Sequence, residues 1–295
     1  MINGFWKMTR SLITLVALIL TITVVYIVHQ KYDQPLTRLS LCKELMPEES
    51  TDSWTREYYA MQAASRIRGL ESIRKTTKNF LNLYDAIVPE VFCRNLVRVG
   101  SVLDGGKWVC NPTAMLRKNC SIYSLGLHDE ISFDHDIQEI NNFSCRIHGY
   151  DMVKQSPVTV KQYYAINGKV EALKIGPKTD ASKNVYFIGD LVSRNNDKNV
   201  EFLKIDIEGA EHNSLIPFLE IYKVCQLFVE IHGTPLKHVT LLQQIARLDY
   251  ALFSYEVNGA CTNCCEYSFI HYSCMSQYGV TKLYLYLKFV NPSTN

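Results

Sequence analysis

Phe202-Leu203-Lys204-Ile205-Asp206-Ile207-Glu208-Gly209-Ala210-Glu211-His212 is the stretch that decides the fold. An apolar, β-branched run is bounded by a glycine turn, which is how a buried strand reads, and the turn carries three carboxylates within six residues. Outward from it, similar runs recur at Ser121 to Leu125, Cys145 to Tyr150, Val170 to Ile175 and Leu227 to Ile231, with Phe202 to Ile207 as the fourth in chain order. Between them lie stretches of helical period, such as Phe133, Ile137, Ile140 and Leu215, Leu219, Tyr222, both at i, i+4, i+7. Alternating strand and helix signals predict βαβ units and a mostly parallel α/β sheet. Towards the end, Ala251 to Val257 and Leu283 to Phe289 are strand-like with only a cysteine-rich loop between them, which predicts a terminal antiparallel pair.

Composition agrees with a folded enzyme-sized domain. The chain has 295 residues, 47% hydrophobic and 20% charged, enough for one sizeable core or at most two. A net charge of +2, with lysine and arginine evenly spread, excludes the electrostatic footprint of a nucleic-acid binder.

Ser11 to Val28 is an uncharged run of eighteen residues, which as a helix would reach roughly 27 Å and cross a bilayer core. The alternative is a cleaved signal peptide, but no small-x-small cleavage site follows. The reading is therefore a tail at 1–10, a transmembrane signal-anchor at 11–28, a stem at 29–53 containing Pro35 and Pro47, and a folded domain at 54–295. That domain opens with helices between Asp52 and Val91, Asp52 or Ser53 being the expected N-cap. Lys7 and Arg10 before the anchor are matched by Lys31, Arg38 and Lys43 after it, so charge does not set the orientation. Ten cysteines and the sequons Asn119-Cys120-Ser121 and Asn142-Phe143-Ser144 favour an oxidising lumen, hence a single-pass type II protein of the endoplasmic reticulum or Golgi. Reduced core cysteines and chance sequons are the other reading. Cys261, Cys264, Cys265 and Cys274, with His271 nearby, suit disulfides in that setting; zinc is the alternative, though the second half-site is poorly formed.

In a doubly wound sheet the ligand lies outside the carboxyl ends of the strands. Gly126 follows the first strand and would let the backbone approach a ligand, with Asp129 or Glu130 opening the next helix. Asp151 follows the second strand, twenty-five residues beyond Gly126, near the offset at which a carboxylate grips a ribose. Asp206 and Glu208 share parity on an extended strand end and should point one way, while Glu211 reads equally well as a helix cap. His232, just past the fifth strand, could take a proton from a hydroxyl, although a lone histidine is as often structural.

Lys204-Ile205-Asp206-Ile207-Glu208-Gly209-Ala210-Glu211 resembles the signature of the FkbM-type S-adenosylmethionine (SAM)-dependent methyltransferases. Asp104-Gly105-Gly106-Lys107-Trp108-Val109-Cys110, with Ser124-Leu125-Gly126 and Phe133-Asp134, is similar to its membrane-anchored animal branch. The resemblance covers roughly residues 90 to 290 and implies a Rossmann-like class I methyltransferase sheet closed by an antiparallel strand pair. It implies SAM as cofactor, with Gly126 and Asp151, and Asp129 beside them, as the cofactor-binding residues. Asp206, Glu208 and His232 would line the reacting end, and no metal is demanded. The sequence departs from the family in its glycine loop, where Leu127 and His128 stand in place of small residues. The expected activity is O-methylation of a hydroxylated acceptor such as a glycan. The alternatives are a type II glycosyltransferase holding a metal on Asp206 and Glu208, and an inactive methyltransferase fold serving as an interaction module.

Overall fold

The computed structural model describes residues 48–73, 79–102, 104–115, 120–259 and 261–291, with the side chains of 48–52 left aside. The expected anchor at Ser11 to Val28 and the sequon residue Asn119 lie outside them. Among the described residues no helix is long and apolar enough to cross a membrane. The chain divides into Met1–Thr55 and Arg56–Asn295, and the architecture that follows is that of the second unit.

Helix α1 (Glu48–Glu71) leads into this unit and α2 (Phe80–Ala86) follows it. Asp52 and Ser53 fall inside α1 and are not its N-cap. Two small antiparallel ribbons come next: β1 (Val91–Cys93), which pairs with the distant β13 (Val280–Lys282), and β2 (Leu96–Val99) with β3 (Lys107–Cys110). The main succession is β4 (Ser121–Leu125), α3 (Ser132–Ile140), β5 (Arg146–Asp151), α4 (Pro157–Ala165) and β6 (Gly168–Ala172). A short parallel pair, β7 (Lys174–Ile175) and β8 (Val185–Tyr186), interrupts it. It continues through α5 (Ile188–Arg194), β9 (Val200–Ile205), α6 (Glu211–Leu219), β10 (Val224–His232), α7 (Pro235–Arg247), β11 (Tyr250–Val257), β12 (Cys264–His271) and α8 (Met275–Tyr278).

Seven of these strands form one sheet in the order β11-β12-β10-β9-β4-β5-β6. The β4, β5, β6, β9 and β10 neighbours pair in parallel, and β12 runs antiparallel to both β10 and β11. Chain order reverses beside β4, so the carboxyl ends of β4 and β9 flank the crevice where such sheets bind ligands. Every residue of β9 is buried, because both faces of the sheet are covered. Leu203, Ile205, Leu227 and Val229 pack into one core with α5, α6 and α7, whereas Phe202 and Phe228 point to the other, with Phe133 and Ile137 of α3 and Tyr163 of α4. The two-residue alternation of a strand thus divides one apolar run between two cores.

The terminal antiparallel pair exists, but its second member is not where the sequence put it. Leu283 to Phe289 is not a strand: its end is a short 3₁₀ turn (Leu287–Phe289), and the partner of β11 is β12, inside the stretch read as a cysteine-rich loop. Cys264-Cys265-Glu266-Tyr267-Ser268-Phe269-Ile270-His271 is buried along its whole length, so the polar-outside alternation that marks a half-exposed strand is missing. The third expected strand likewise divides into β6 and β7.

Among the described residues eight cysteines form four disulfides. Cys93–Cys110 ties β1 to β3, Cys120–Cys145 joins the entries to β4 and β5, Cys225–Cys274 ties β10 to the turn before α8, and Cys261–Cys264 closes the β11–β12 loop. Cys265 is a buried free thiol.

Candidate active site

A cavity of about 280 Å³ opens at the carboxyl ends of the parallel strands. Gly126, Asp151, Asp206 and Glu208, four of the residues that the sequence singled out, line it. Gly126 sits at φ 81°, and a Cβ there would meet the Asp206 carbonyl oxygen at 1.6 Å, so only glycine fits where the ends of β4 and β9 converge. Asp206 N donates to Leu125 O at 2.9 Å and closes that junction. Lys204, buried in β9, donates from Nζ to Gly126 O at 3.1 Å. Its neighbour Asp134, held by Ser124 Oγ at 3.2 Å, has its carboxyl pushed up to about 6 by burial, with Lys204 opposing that rise.

The loop after β4 lacks further glycines, yet His128 (φ 49°) and Asp129 (φ 59°) both adopt the left-handed conformation. Such residues persist only where their surroundings impose the geometry. Asp151 supplies that constraint. Its Oδ2 accepts from Leu127 N and His128 N, both at 2.8 Å, and its Oδ1 accepts from Val153 N at 2.7 Å. Three of the roughly four acceptor positions of a carboxylate are thus spent on the loop itself, leaving about one for a ligand.

Asp129 does not belong to the cavity. It is turned outward, where Oδ1 accepts from Ser156 N at 2.8 Å and so supports the start of α4; that hydrogen bond leads the contacts that hold its carboxyl below the usual range. Glu130 lines the cavity instead, packed against Gly105, where a Cβ would meet Glu130 Oε2 at 1.8 Å. Met152, Val153, Leu173 and Ile175 give the cavity an apolar side next to Asp151. Sequence reasoning missed these residues: Met152 and Val153 lie just after the expected strand ending at Tyr150, while Leu173 and Ile175 fell inside the expected strand Val170 to Ile175.

Asp206 and Glu208 do face one way, for a reason other than strand parity. β9 ends at Ile205, and Glu208 turns through φ 55°. The side chain of Glu208 is 77% exposed at the cavity, while Glu211, first residue of α6, is fully buried. Glu211 is more than a cap: Oε2 accepts from Gly209 N at 2.8 Å and Oε1 from His232 N at 2.9 Å, with His232 Nδ1 3.4 Å from Oε1. One buried carboxylate therefore joins the acidic turn to the end of β10. His232 Nε2 faces Glu208 Oε2 at 3.5 Å and Asp206 Oδ1 at 3.9 Å. The Glu211 carboxylate beside its ring raises its pKa, burial works against this, and the charges of Glu230 and Asp206 add to the rise.

A deeper group stands beside Asp206. Glu230 is buried and its carboxyl is driven upward, first by burial and then by Glu266 and Asp206. Lys107 of β3, also buried, pairs with Glu266. Burial opposes the Lys107 ammonium, but Glu266, Asp206 and Glu230 outweigh it and hold it charged. The chemistry available is that of a cavity with a polar and an apolar side, a carboxylate wall, and an imidazole directly behind it.

No curated protein matches the chain. A family model described as a methyltransferase domain matches residues 47–271, a span that ends with the last residue of β12 and contains the whole seven-stranded sheet and every residue of the site. The chain therefore belongs to the methyltransferase-domain family.

Proposed function

We propose that this protein is a SAM-dependent O-methyltransferase of FkbM type, and that the cavity at the ends of β4, β5 and β9 is its cofactor site. The observation that carries the reading is the junction of Gly126, Asp151 and Asp206 on one cavity at the topological switch of the sheet. The residues suit the cofactor: the remaining acceptor position of Asp151 is available to a ribose hydroxyl, and Met152, Val153, Leu173 and Ile175 offer an apolar wall for an adenine. Gly126, Asp206 and Glu208 line the same cavity, and beside them the methionine portion would be held.

When bound, SAM supplies a methyl group on a positively charged sulfur, open to in-line attack. The protein's part is to hold the acceptor in line, exclude water and take up the proton that the acceptor hydroxyl would lose as its oxygen bonds to the methyl carbon and the carbon–sulfur bond breaks, the sulfur keeping that electron pair. Asp206 is the better placed proton acceptor because it lines the cavity, whereas His232 stands behind it, braced by Glu211.

A secretory-pathway setting, with the chain anchored by Ser11 to Val28 and the catalytic domain lumenal, draws support from the four disulfides and from the exposed sequon residue Asn142. A hydroxylated glycan fits that compartment as acceptor. The test is calorimetric titration of S-adenosylhomocysteine into the protein and its Asp151→Asn variant: saturable binding that weakens tenfold or more in the variant supports the cofactor site. No binding to the unaltered protein would favour the inactive module.

A further inference from the structure

We infer that Asp206, Glu208 and His232 form a divalent-cation site of the manganese type on the wall of the cavity. Their three donor atoms, two carboxylate oxygens and an imidazole nitrogen, lie within 4.8 Å of one another. The arrangement is more than a cluster of acids. Glu211, fully buried and fixed by two backbone N–H groups, stands 3.4 Å from His232 Nδ1, on the side of the ring away from Asp206 and Glu208, which Nε2 faces. A carboxylate on the far side of the imidazole is the support that metal-ligating histidines characteristically have.

Charge separates this site from its neighbours. The deeper triple of Asp206, Glu230 and Glu266 has its cation already, the ammonium of Lys107. In the triple of Glu230, His232 and Cys264 the sulfur is committed to the disulfide with Cys261. At Asp206 and Glu208, by contrast, no lysine or arginine forms an ion pair among the described residues: His232 is the cation-capable group within 4 Å, while Lys107 and Glu230 act on Asp206 from deeper in the fold. Two carboxylates and one nitrogen, with a side open to the cavity, suit Mn²⁺ better than the thiolate-rich sets that select zinc. The cation would take the place of a proton on Nε2 and leave Asp206 a second oxygen for the acceptor's proton. Its role in gathering an acceptor hydroxyl and lowering its pKa rests on the methyltransferase reading; the site itself does not.

The experiment is titration of Mn²⁺ alone into the full chain, followed by electron paramagnetic resonance of the free ion, with thermal unfolding in parallel. One saturable equivalent is expected, with a rise in Tm. Glu208→Gln, on an exposed side chain that the fold does not need, should weaken binding at least tenfold, as should His232→Gln. Glu139→Gln, in the exposed His135, Asp136, Glu139 group on α3, should bind as the unaltered protein does. Absence of a saturable site at millimolar Mn²⁺, or Glu208→Gln and His232→Gln variants that bind normally, would overturn the inference. S-adenosylhomocysteine titrated without metal keeps the two readings apart. Manganese bound with no nucleoside binding sustains the cation site and removes the methyltransferase reading; the converse removes the cation site alone.

Discussion

Gly126 and Asp151 do at the residue scale what a glycine-rich loop does with several glycines. Gly126 permits the contact between β4 and β9, and Asp151 pins Leu127 and His128 from below. Gly126→Ala forces a Cβ against the Asp206 carbonyl at a positive φ, and is expected to destabilise the fold by about 2–4 kcal/mol and abolish S-adenosylhomocysteine binding; urea unfolding and calorimetry read the two effects. His238 gives a pH signature of its own. Enclosed between Tyr267 Oη at 3.0 Å and Asn263 O at 3.2 Å, its imidazole is pushed down to about 4 by burial. The unfolded chain takes up this proton near pH 6.5 and the folded chain only near 4, so its contribution is complete above about 6.5 and is lost as pH falls toward 4. The unaltered protein should lose roughly 3 kcal/mol more stability across that window than His238→Gln. Parallel pH profiles of unfolding that coincide would rule this out.

At the scale of elements, β12 is the piece that local pattern conceals. Tyr267 and Phe269 enter one core, and Glu266 and Ser268, on the opposite face with Ile270, are buried as well, so the strand has no exposed face. Phe269→Ala should cost about 3–5 kcal/mol, as deletion of a fully buried phenyl ring does. Phe289→Ala, in the stretch whose sequence looks more like a strand, should stay within about 0.5 kcal/mol, since its side chain is 54% exposed. Chemical denaturation of the two variants side by side decides between the alternatives. Three of the parallel strands were easier to locate because each ends an apolar run in a glycine or a carboxylate, as Leu125-Gly126, Tyr150-Asp151 and Ile205-Asp206 do.

For the whole molecule the disulfides set how stability responds to reduction. Cys225–Cys274 spans 49 residues and Cys261–Cys264 only 3. By loop-closure entropy the first contributes about 4 kcal/mol and the second about 2. Paired cysteine-to-serine variants should therefore differ in urea midpoint, with the Cys225/Cys274 pair the more damaged. If the domain matures in a lumen, Asn142 should carry a glycan, and Asn142→Gln should remove one endoglycosidase-sensitive shift on a gel. An unchanged mobility of the secreted-pathway product would argue against the lumenal placement.

The order of βα units, the acidic turn at Asp206 to Glu211 and the positions of Gly126 and Asp151 follow from sequence alone, because burial periodicity and turn chemistry are local properties of the chain. What the tertiary structure decided involves residues far apart. Lys107 meets Glu266 across 159 positions, Glu211 reaches His232 across 21, and β12 inserts between β10 and β11. Asp129 and Glu130, adjacent in sequence, part company because the loop bends through two left-handed residues, His128 held by Asp151 and Asp129 held by Gln155. No short-range pattern encodes such contacts. They exist because the sheet brings the carboxyl ends of distant strands to one edge, where unlike charges that would be separate in an extended chain become neighbours.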